Sequence, residues 1–189
     1  MSINLEKGGR INLSKEAPGL KSAGIGLGWD TNATDTGAAF DLDASVFMLG
    51  ANAKIPGEKY FVFYNNKESP DTSVIHLGDS RTGEGFGDDE TVTVDLTKVD
   101  PAVQEIVFVV TIHEAESRRQ NFGQVRNAFI RIYDTTTNIE VTKYDLDEDF
   151  SRETAVEFGR LYKKDGEWRF AAVGQGYNSG LQSFVEKYS

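Results

Sequence analysis

Between Glu105 and Ile112 the chain reads Glu-Ile-Val-Phe-Val-Val-Thr-Ile, a nearly unbroken apolar run dominated by β-branched residues. Such a run marks a central β-strand buried on both faces, because an exposed face would show polar residues at every second position. Covering both faces of that strand requires a layered fold, so the flanking segments must supply more strands.

They do so repeatedly. Ile3–Leu5 and Arg10–Leu13 alternate apolar and polar residues around Gly8-Gly9, which predicts an N-terminal hairpin. Ala23-Gly-Ile25-Gly-Leu27-Gly-Trp29 places apolar residues on one face and glycine on the other, a sign of close approach by another backbone or of a bend. Tyr60–Tyr64 reads as a buried strand closed by the Asn65-Asn66 turn, and Thr72–Leu77, Thr91–Leu96, Val125–Tyr133 and Glu140–Leu146 read as further strands. Val156–Tyr162 and Trp168–Ala172 flank Lys164-Asp-Gly-Glu167, where Asp-Gly is a strong hairpin signal. Helix is expected only in short pieces: about a turn after Asp100-Pro101, a second within Ser117–Gly123, and a C-terminal amphipathic helix carrying Leu181, Phe184, Val185 and Tyr188 with Ser179 as its cap. The fold class is all-β, an antiparallel β-sandwich with short helices, and one domain spanning residues 1–189.

The formal charge of −10 and the pI near 4.7 argue against a nucleic-acid partner, which would require a basic face. Without cysteine, thiol catalysis and thiolate metal sites are excluded, and a reducing, cytoplasmic setting is expected. No stretch approaches the ~20 apolar residues of a membrane span, so membrane association would be peripheral.

Chemistry concentrates between Gly78 and Glu90. Asp79, Glu84, Asp88, Asp89 and Glu90 face one cation there, Arg81, while Gly83, Gly85 and Gly87 let the backbone curl and turn carbonyls inward. An all-oxygen set of this kind suits Ca²⁺, which takes roughly 6–8 oxygens in irregular geometry; Mg²⁺ demands a stricter octahedron, and zinc prefers the sulfur and nitrogen that this chain scarcely offers. The competing reading is a solvated acidic turn. Asp79 and Glu90 stand where an EF-hand loop has its first and twelfth ligands, yet Arg81 and Glu84 occupy incompatible positions and the flanks alternate like strands. A second acidic stretch, Phe40-Asp-Leu-Asp-Ala-Ser45, sets Asp41 and Asp43 on one strand face about 7 Å apart. A cation shared with the loop would explain aspartates in a strand, where they are poor formers. His113, at the end of the central strand, is expected to be structural, and Asp147–Asp149 a solvated turn.

Leu5-Glu-Lys-Gly-Gly9, Gly26-Leu-Gly-Trp-Asp30, Phe40-Asp-Leu-Asp-Ala-Ser45, Phe63-Tyr-Asn-Asn66, Gly83-Glu-Gly85, Gly87-Asp-Asp-Glu90 and Gln120-Asn-Phe-Gly-Gln124 together closely resemble the TerD family of bacterial tellurium-resistance and stress-response proteins. The resemblance runs from Ile3 to Tyr188. It implies a β-sandwich that binds two Ca²⁺ ions, with Asp41, Asp43, Asp79, Asp88, Asp89 and Glu90 matching the acidic motifs, Gly83 and Gly85 as carbonyl donors, and Asp30 and Glu84 in a second tier. Ser80 and Phe86 depart from the family, which commonly has Asn and an acidic residue there. A non-enzymatic calcium-binding protein acting through protein partners of a stress-response assembly, at the inner membrane surface or in the cytoplasm, is therefore expected. The alternatives are a metal-dependent phosphohydrolase and a calcium-dependent sugar or small-ligand binder.

Overall fold

The computed structural model describes residues 1–31, 40–79, 87–146 and 150–189. In chain order the elements are β1 (Ile3–Leu5), β2 (Arg10–Asn12), α1 (Leu13–Glu16), β3 (Ser22–Thr31), β4 (Leu42–Gly50), β5 (Phe61–Val62), β6 (Val74–Asp79), β7 (Glu90–Asp95), β8 (Val103–Ile112), α2 (Ala115–Arg118), β9 (Val125–Asp134), β10 (Glu140–Asp145), β11 (Ala155–Lys164), β12 (Glu167–Tyr177) and α3 (Leu181–Tyr188). They form two six-stranded sheets. The first runs β1-β10-β9-β3-β7-β6 and the second β2-β12-β11-β8-β4-β5. One apolar interior joins them, with Ile25 and Leu27 of β3, Val92 and Val94 of β7, and Ile130 and Ile132 of β9 meeting Val46 and Met48 of β4 and Phe108 and Val110 of β8. The sandwich expected from the alternating strands is the fold observed.

The central strand β8 is buried on both sides. Ile106, Phe108, Val110 and Ile112 enter the interior between the sheets. Val107 and Val109 point the other way, into a second cluster with Phe47, Leu49 and Ala155 that is roofed by Phe184 and Tyr188 of α3. The helix is pinned at its far end, where the Ile55 N–H donates to Tyr188 O at 2.7 Å and Lys54 Nζ to Lys187 O at 2.9 Å. Its cap is Gly180 without a side-chain bond, not Ser179.

The β11–β12 hairpin forms as predicted, with Asp165 and Gly166 both at positive φ (55° and 74°), the conformation of a two-residue type I′ turn. The N-terminal hairpin does not. β1 joins the first sheet, parallel to β10, and β2 joins the second, antiparallel to β12. Gly8 N–H donates to Ala172 O and Ala172 N–H to Gly9 O, each at 2.9 Å, so the Gly-Gly turn is itself tied to β12. A three-residue hairpin has little stability alone, and each strand buries its apolar residues better as the edge of a full sheet. Asp100-Pro101 starts a turn rather than a helix, its carboxylate and carbonyl accepting from Ala102 N–H and Val103 N–H and leading the chain directly into β8. The helix expected within Ser117–Gly123 is displaced to Ala115–Arg118, ended by Arg119 in the left-handed region, with a 3₁₀ turn following at Phe122–Gln124. Only Phe61 and Val62 of the Tyr60–Tyr64 segment are strand, and Tyr64 is exposed; Asn66 closes the turn by donating to Phe61 O and Lys59 O. The Asp147–Asp149 turn lies outside the described residues.

Candidate functional site

Strand directions gather the acidic stretches at one end of the sandwich. β6 ends and β7 begins there, with Asp79 opposite Glu90; β3 passes Glu90 at Leu27 and continues to Asp30. From the second sheet, β4 starts at the same end, its Ala44 N–H lying 3.4 Å from Glu90 Oε2. Asp41, Asp43, Asp79, Asp88, Asp89 and Glu90 are therefore neighbours in the fold although they derive from both sheets. Gly83, Gly85 and Glu84 lie outside the described residues.

Glu90 is buried on the inward side of β7, in line with Val92 and Val94. Its partner is His76 of the adjacent edge strand, whose Nε2 lies 2.9 Å from Glu90 Oε2 and 3.1 Å from Ala44 O. The other ring nitrogen, Nδ1, accepts the Gly78 N–H at 3.0 Å, which places the ring proton on Nε2. Burial works to lower the His76 pKa, but the Glu90 hydrogen bond and charge outweigh it and raise the value. Protonating Nδ1 would set a donor against the Gly78 N–H, so the neutral ring fits this geometry. β5 pairs with β4 only at Val46 and Phe47, so at Ala44 the edge of β4 is served by Glu90 and His76 instead. The pair clips the two sheets together.

Asp88 points to the opposite side, onto the outer face of the first sheet. There it accepts both Nε (2.8 Å) and Nη2 (2.6 Å) of Arg131, a two-pronged ion pair in which Asp88 is 9% and Arg131 5% exposed. Burial opposes the guanidinium charge, and Asp88 more than restores it, leaving the Arg131 pKa raised. The glycines of β3 explain how this pair fits. Gly24, Gly26 and Gly28 stand opposite Tyr133, Arg131 and Phe129 of β9. A Cβ at Gly24 would strike the Tyr133 ring, one at Gly26 the Asp88 carboxylate, and one at Gly28 both the Phe129 ring and Gly87 O, the latter at 2.7 Å. The glycine face thus accepts mainly side chains from the neighbouring strand, and backbone at one point. Asp89, next in the chain, continues the β3 ladder: its N–H donates to Leu27 O and its Oδ2 accepts the Trp29 N–H, both at 2.7 Å.

Asp43 sits on the face of β4 that also carries Phe47 and Leu49. With Glu90 it lines a cleft of about 340 Å³ together with Tyr64, Lys67, His76, Leu77 and Gly78. On its other side opens a cleft of about 1000 Å³ that reaches His113, Glu114, Thr154 and Asn178. Asp41 precedes the strand instead of lying in it; its side chain is exposed and its carbonyl accepts the His113 N–H at 2.8 Å. Asp30 Oδ2 accepts from Asn127 Nδ2 at 2.8 Å.

The chemistry of these donors fits a hard cation, since they are oxygens with no sulfur among them. Among the described residues, however, no three Asp, Glu or His side chains converge on one point. Sequence reading did not single out Arg131 or His76 as partners of the acidic loop. The available signal for Arg131 was its position as a lone cation inside the apolar run Phe129–Tyr133, facing a strand whose alternate residues are glycine.

The profile of the TerD domain matches residues 1–188. The tellurium resistance protein TerD of Serratia marcescens is 55% identical over 188 residues, covering 100% of this chain and 97% of its own. General stress protein 16U of Bacillus subtilis is 52% identical over the same length, with the same coverage. Among solved structures, a Streptomyces coelicolor homologue of the telluride resistance protein TerD superposes with a TM-score of 0.67 at 26% identity, covering 90% of this chain and 99% of its own. Its motifs, its sandwich and these relatives agree that the chain belongs to the TerD family, whose named members are tellurium-resistance and stress-response proteins.

Proposed function

We propose that this is a non-enzymatic calcium-binding protein of a tellurium-resistance and general stress response, and that the acidic end of the sandwich is its calcium site. The observation that carries the reading is that Asp43 from one sheet and Glu90 from the other line a single cleft at the end where the glycine-rich segment leaves β6 and returns to β7. Asp41, Asp43, Asp79, Asp89 and Glu90, with the carbonyls of Gly83 and Gly85, form the proposed ligand set for two ions. His76 orients Glu90 within it, as hydrogen-bonded neighbours commonly orient metal-binding side chains. Asp88, both of whose oxygens are engaged by Arg131, serves as the anchor that fastens the loop's return to the sheet.

Calcium would neutralise the crowded carboxylates and join the two sheets, contributing about 2.7 kcal/mol at a hundredfold excess over Kd. The ordered end then presents a surface to protein partners in the cytoplasm or at the membrane face. None of the described helices is long and apolar enough to cross a membrane. Calorimetric titration of chelator-stripped protein with Ca²⁺, and separately with Mg²⁺, tests the reading. Tight binding of about two Ca²⁺, abolished in the Asp43→Asn/Asp89→Asn double variant and retained in Asp88→Asn, is expected. Unchanged calcium binding in the double variant would place the site elsewhere.

A further inference from the structure

Among the described residues four large apolar side chains stand exposed, Met1, Tyr64, Leu77 and Ile139, and they fall in two pairs. Met1 and Ile139 line a cleft where β9 ends, at the far end of the first sheet. Tyr64 and Leu77, 49% and 57% exposed, line the cleft of about 340 Å³ to which Asp43 and Glu90 contribute from the two sheets. An apolar pair therefore borders the proposed calcium cleft itself.

Local structure holds both side chains where they are. Leu77 stands at a bulge: His76 faces Val92 of β7 and Gly78 faces Thr91, so Leu77 has no opposing residue. A bulge re-aims the side chain it carries, and here Leu77 is turned to solvent while His76 before it is buried. Tyr64 follows β5, where its ring meets Phe63 edge-on at 5.1 Å; Phe63 stacks on Phe61 at 4.3 Å, and Phe61 on Phe47 at 4.6 Å. This column of rings reaches the buried cluster beneath α3, so Tyr64 is braced from below. A braced side chain surrenders little freedom on binding.

We propose that this rim docks the calcium-loaded protein on an anionic phospholipid surface; the inference rests on the calcium reading. Without the ion, the carboxylates of the cleft and a formal charge of −10 are repelled by an anionic leaflet. Calcium neutralises the carboxylates and accepts phosphate oxygens as further ligands. Lys67, whose ammonium lies beside Gly78, adds a cation to the same rim. Leu77 enters the acyl boundary, and Tyr64, with an apolar ring and a polar hydroxyl, suits the headgroup level. Reversible peripheral binding draws on these two contributions together, apolar burial and charge. A folded protein partner is a poorer match, because a specific interface buries about 800 Å² on each side around an apolar core, and two side chains beside one cleft do not provide it.

Vesicles of phosphatidylcholine, with and without phosphatidylglycerol, are sedimented with the full chain in Ca²⁺ and in chelator, while calcium affinity is measured by calorimetry without lipid. Sedimentation that needs both Ca²⁺ and the anionic lipid is expected, weakened about tenfold in the Tyr64→Gln/Leu77→Gln variant. Both side chains are exposed and neither belongs to the proposed ligand set, so the variant should fold and bind calcium as the parent does. Calcium binding without sedimentation overturns the lipid surface, leaves the calcium site standing and assigns the rim to a protein partner. Absence of calcium binding overturns both. Sedimentation that persists in chelator, occurs equally on phosphatidylcholine alone, or is unchanged in the variant reflects unspecific adhesion or bare charge bridging, and overturns the proposal.

Discussion

The two sheets share one interior but finish their outer faces by different physics. On the second sheet, α3 covers Phe47, Leu49, Val107 and Val109 with Phe184 and Tyr188, and the Phe47 ring stacks on Phe61 at 4.6 Å and lies 5.0 Å from Tyr188. That surface is closed by apolar burial. On the first sheet, a strand with alternate glycines accepts Tyr133, Arg131 and Phe129 laid flat across it; Arg131 lies 4.5 Å from the Tyr133 ring centre and is paired with Asp88, and Lys143 lies 4.7 Å from that of Phe129. Here the backbone groove takes charge and ring faces instead of methyl groups. The placement matters because Asp88 lies where the chain returns into β7, so this ion pair fastens the polar face beside the cleft that Asp43 and Glu90 line.

Phe47→Ala is expected to produce the largest effect, about 3–5 kcal/mol, because it removes a fully buried ring and opens a cavity beneath α3. Chemical denaturation should show the loss, and hydrogen exchange should show α3 released, while calcium titration of the folded fraction stays unchanged. A calcium affinity that fell in parallel would mean that the two faces are not separable. Arg131→Met comes next, at roughly 2–3 kcal/mol, below the range for a fully dry pair because Asp88 retains some exposure. Adding Asp88→Asn to that background should recover most of the stability, because the cost lies in an uncompensated carboxylate, and the double-mutant cycle reads the coupling directly. Equal losses in the single and double variants would show that Arg131 acts by packing alone.

The contrast also explains what could be read from the sequence. Glu105–Ile112 announced a strand buried on both faces, and the C-terminal spacing of Leu181, Phe184, Val185 and Tyr188 announced an apolar helix face, because both signals are local and periodic. Asp165-Gly166 named its own turn by requiring positive φ twice in succession. The glycines of β3 signalled close approach, but what approaches them is decided by register with β9, a strand about a hundred residues later, and no local pattern carries that pairing. The same limit applied to Glu90, whose acidity suggested a cation while its buried partner His76 lay across a bulged edge pairing. At the N-terminus, Gly8-Gly9 looked like a hairpin because turn chemistry is local; the assignment of β1 and β2 to different sheets depends on which edges were open. The acidic residues were legible as a group, but the sides of the sheets they face were not.

Three smaller substitutions probe the polar face. Gly28→Ala is expected to cost about 1–3 kcal/mol, because the added methyl meets Gly87 O, and backbone cannot swing aside as the Phe129 ring can. Gly24→Ala meets only the Tyr133 ring among its nearest atoms and should cost less. If Gly28→Ala also weakens calcium binding while Gly24→Ala does not, the position of Gly87 on β3 is part of the site and not merely of the fold. Lys143→Gln should have the smallest effect, about 0.5–1 kcal/mol, since it removes a partly exposed charge over the Phe129 ring and a 2.8 Å contact with the largely exposed Asp145. That loss should shrink in high salt, whereas the Arg131→Met loss should persist, because screening reaches exposed charges and scarcely reaches the buried pair. Measuring both variants at low and high salt therefore separates the rim of the polar face from its anchor, and equal salt sensitivity would show that Arg131 and Asp88 are solvated in solution.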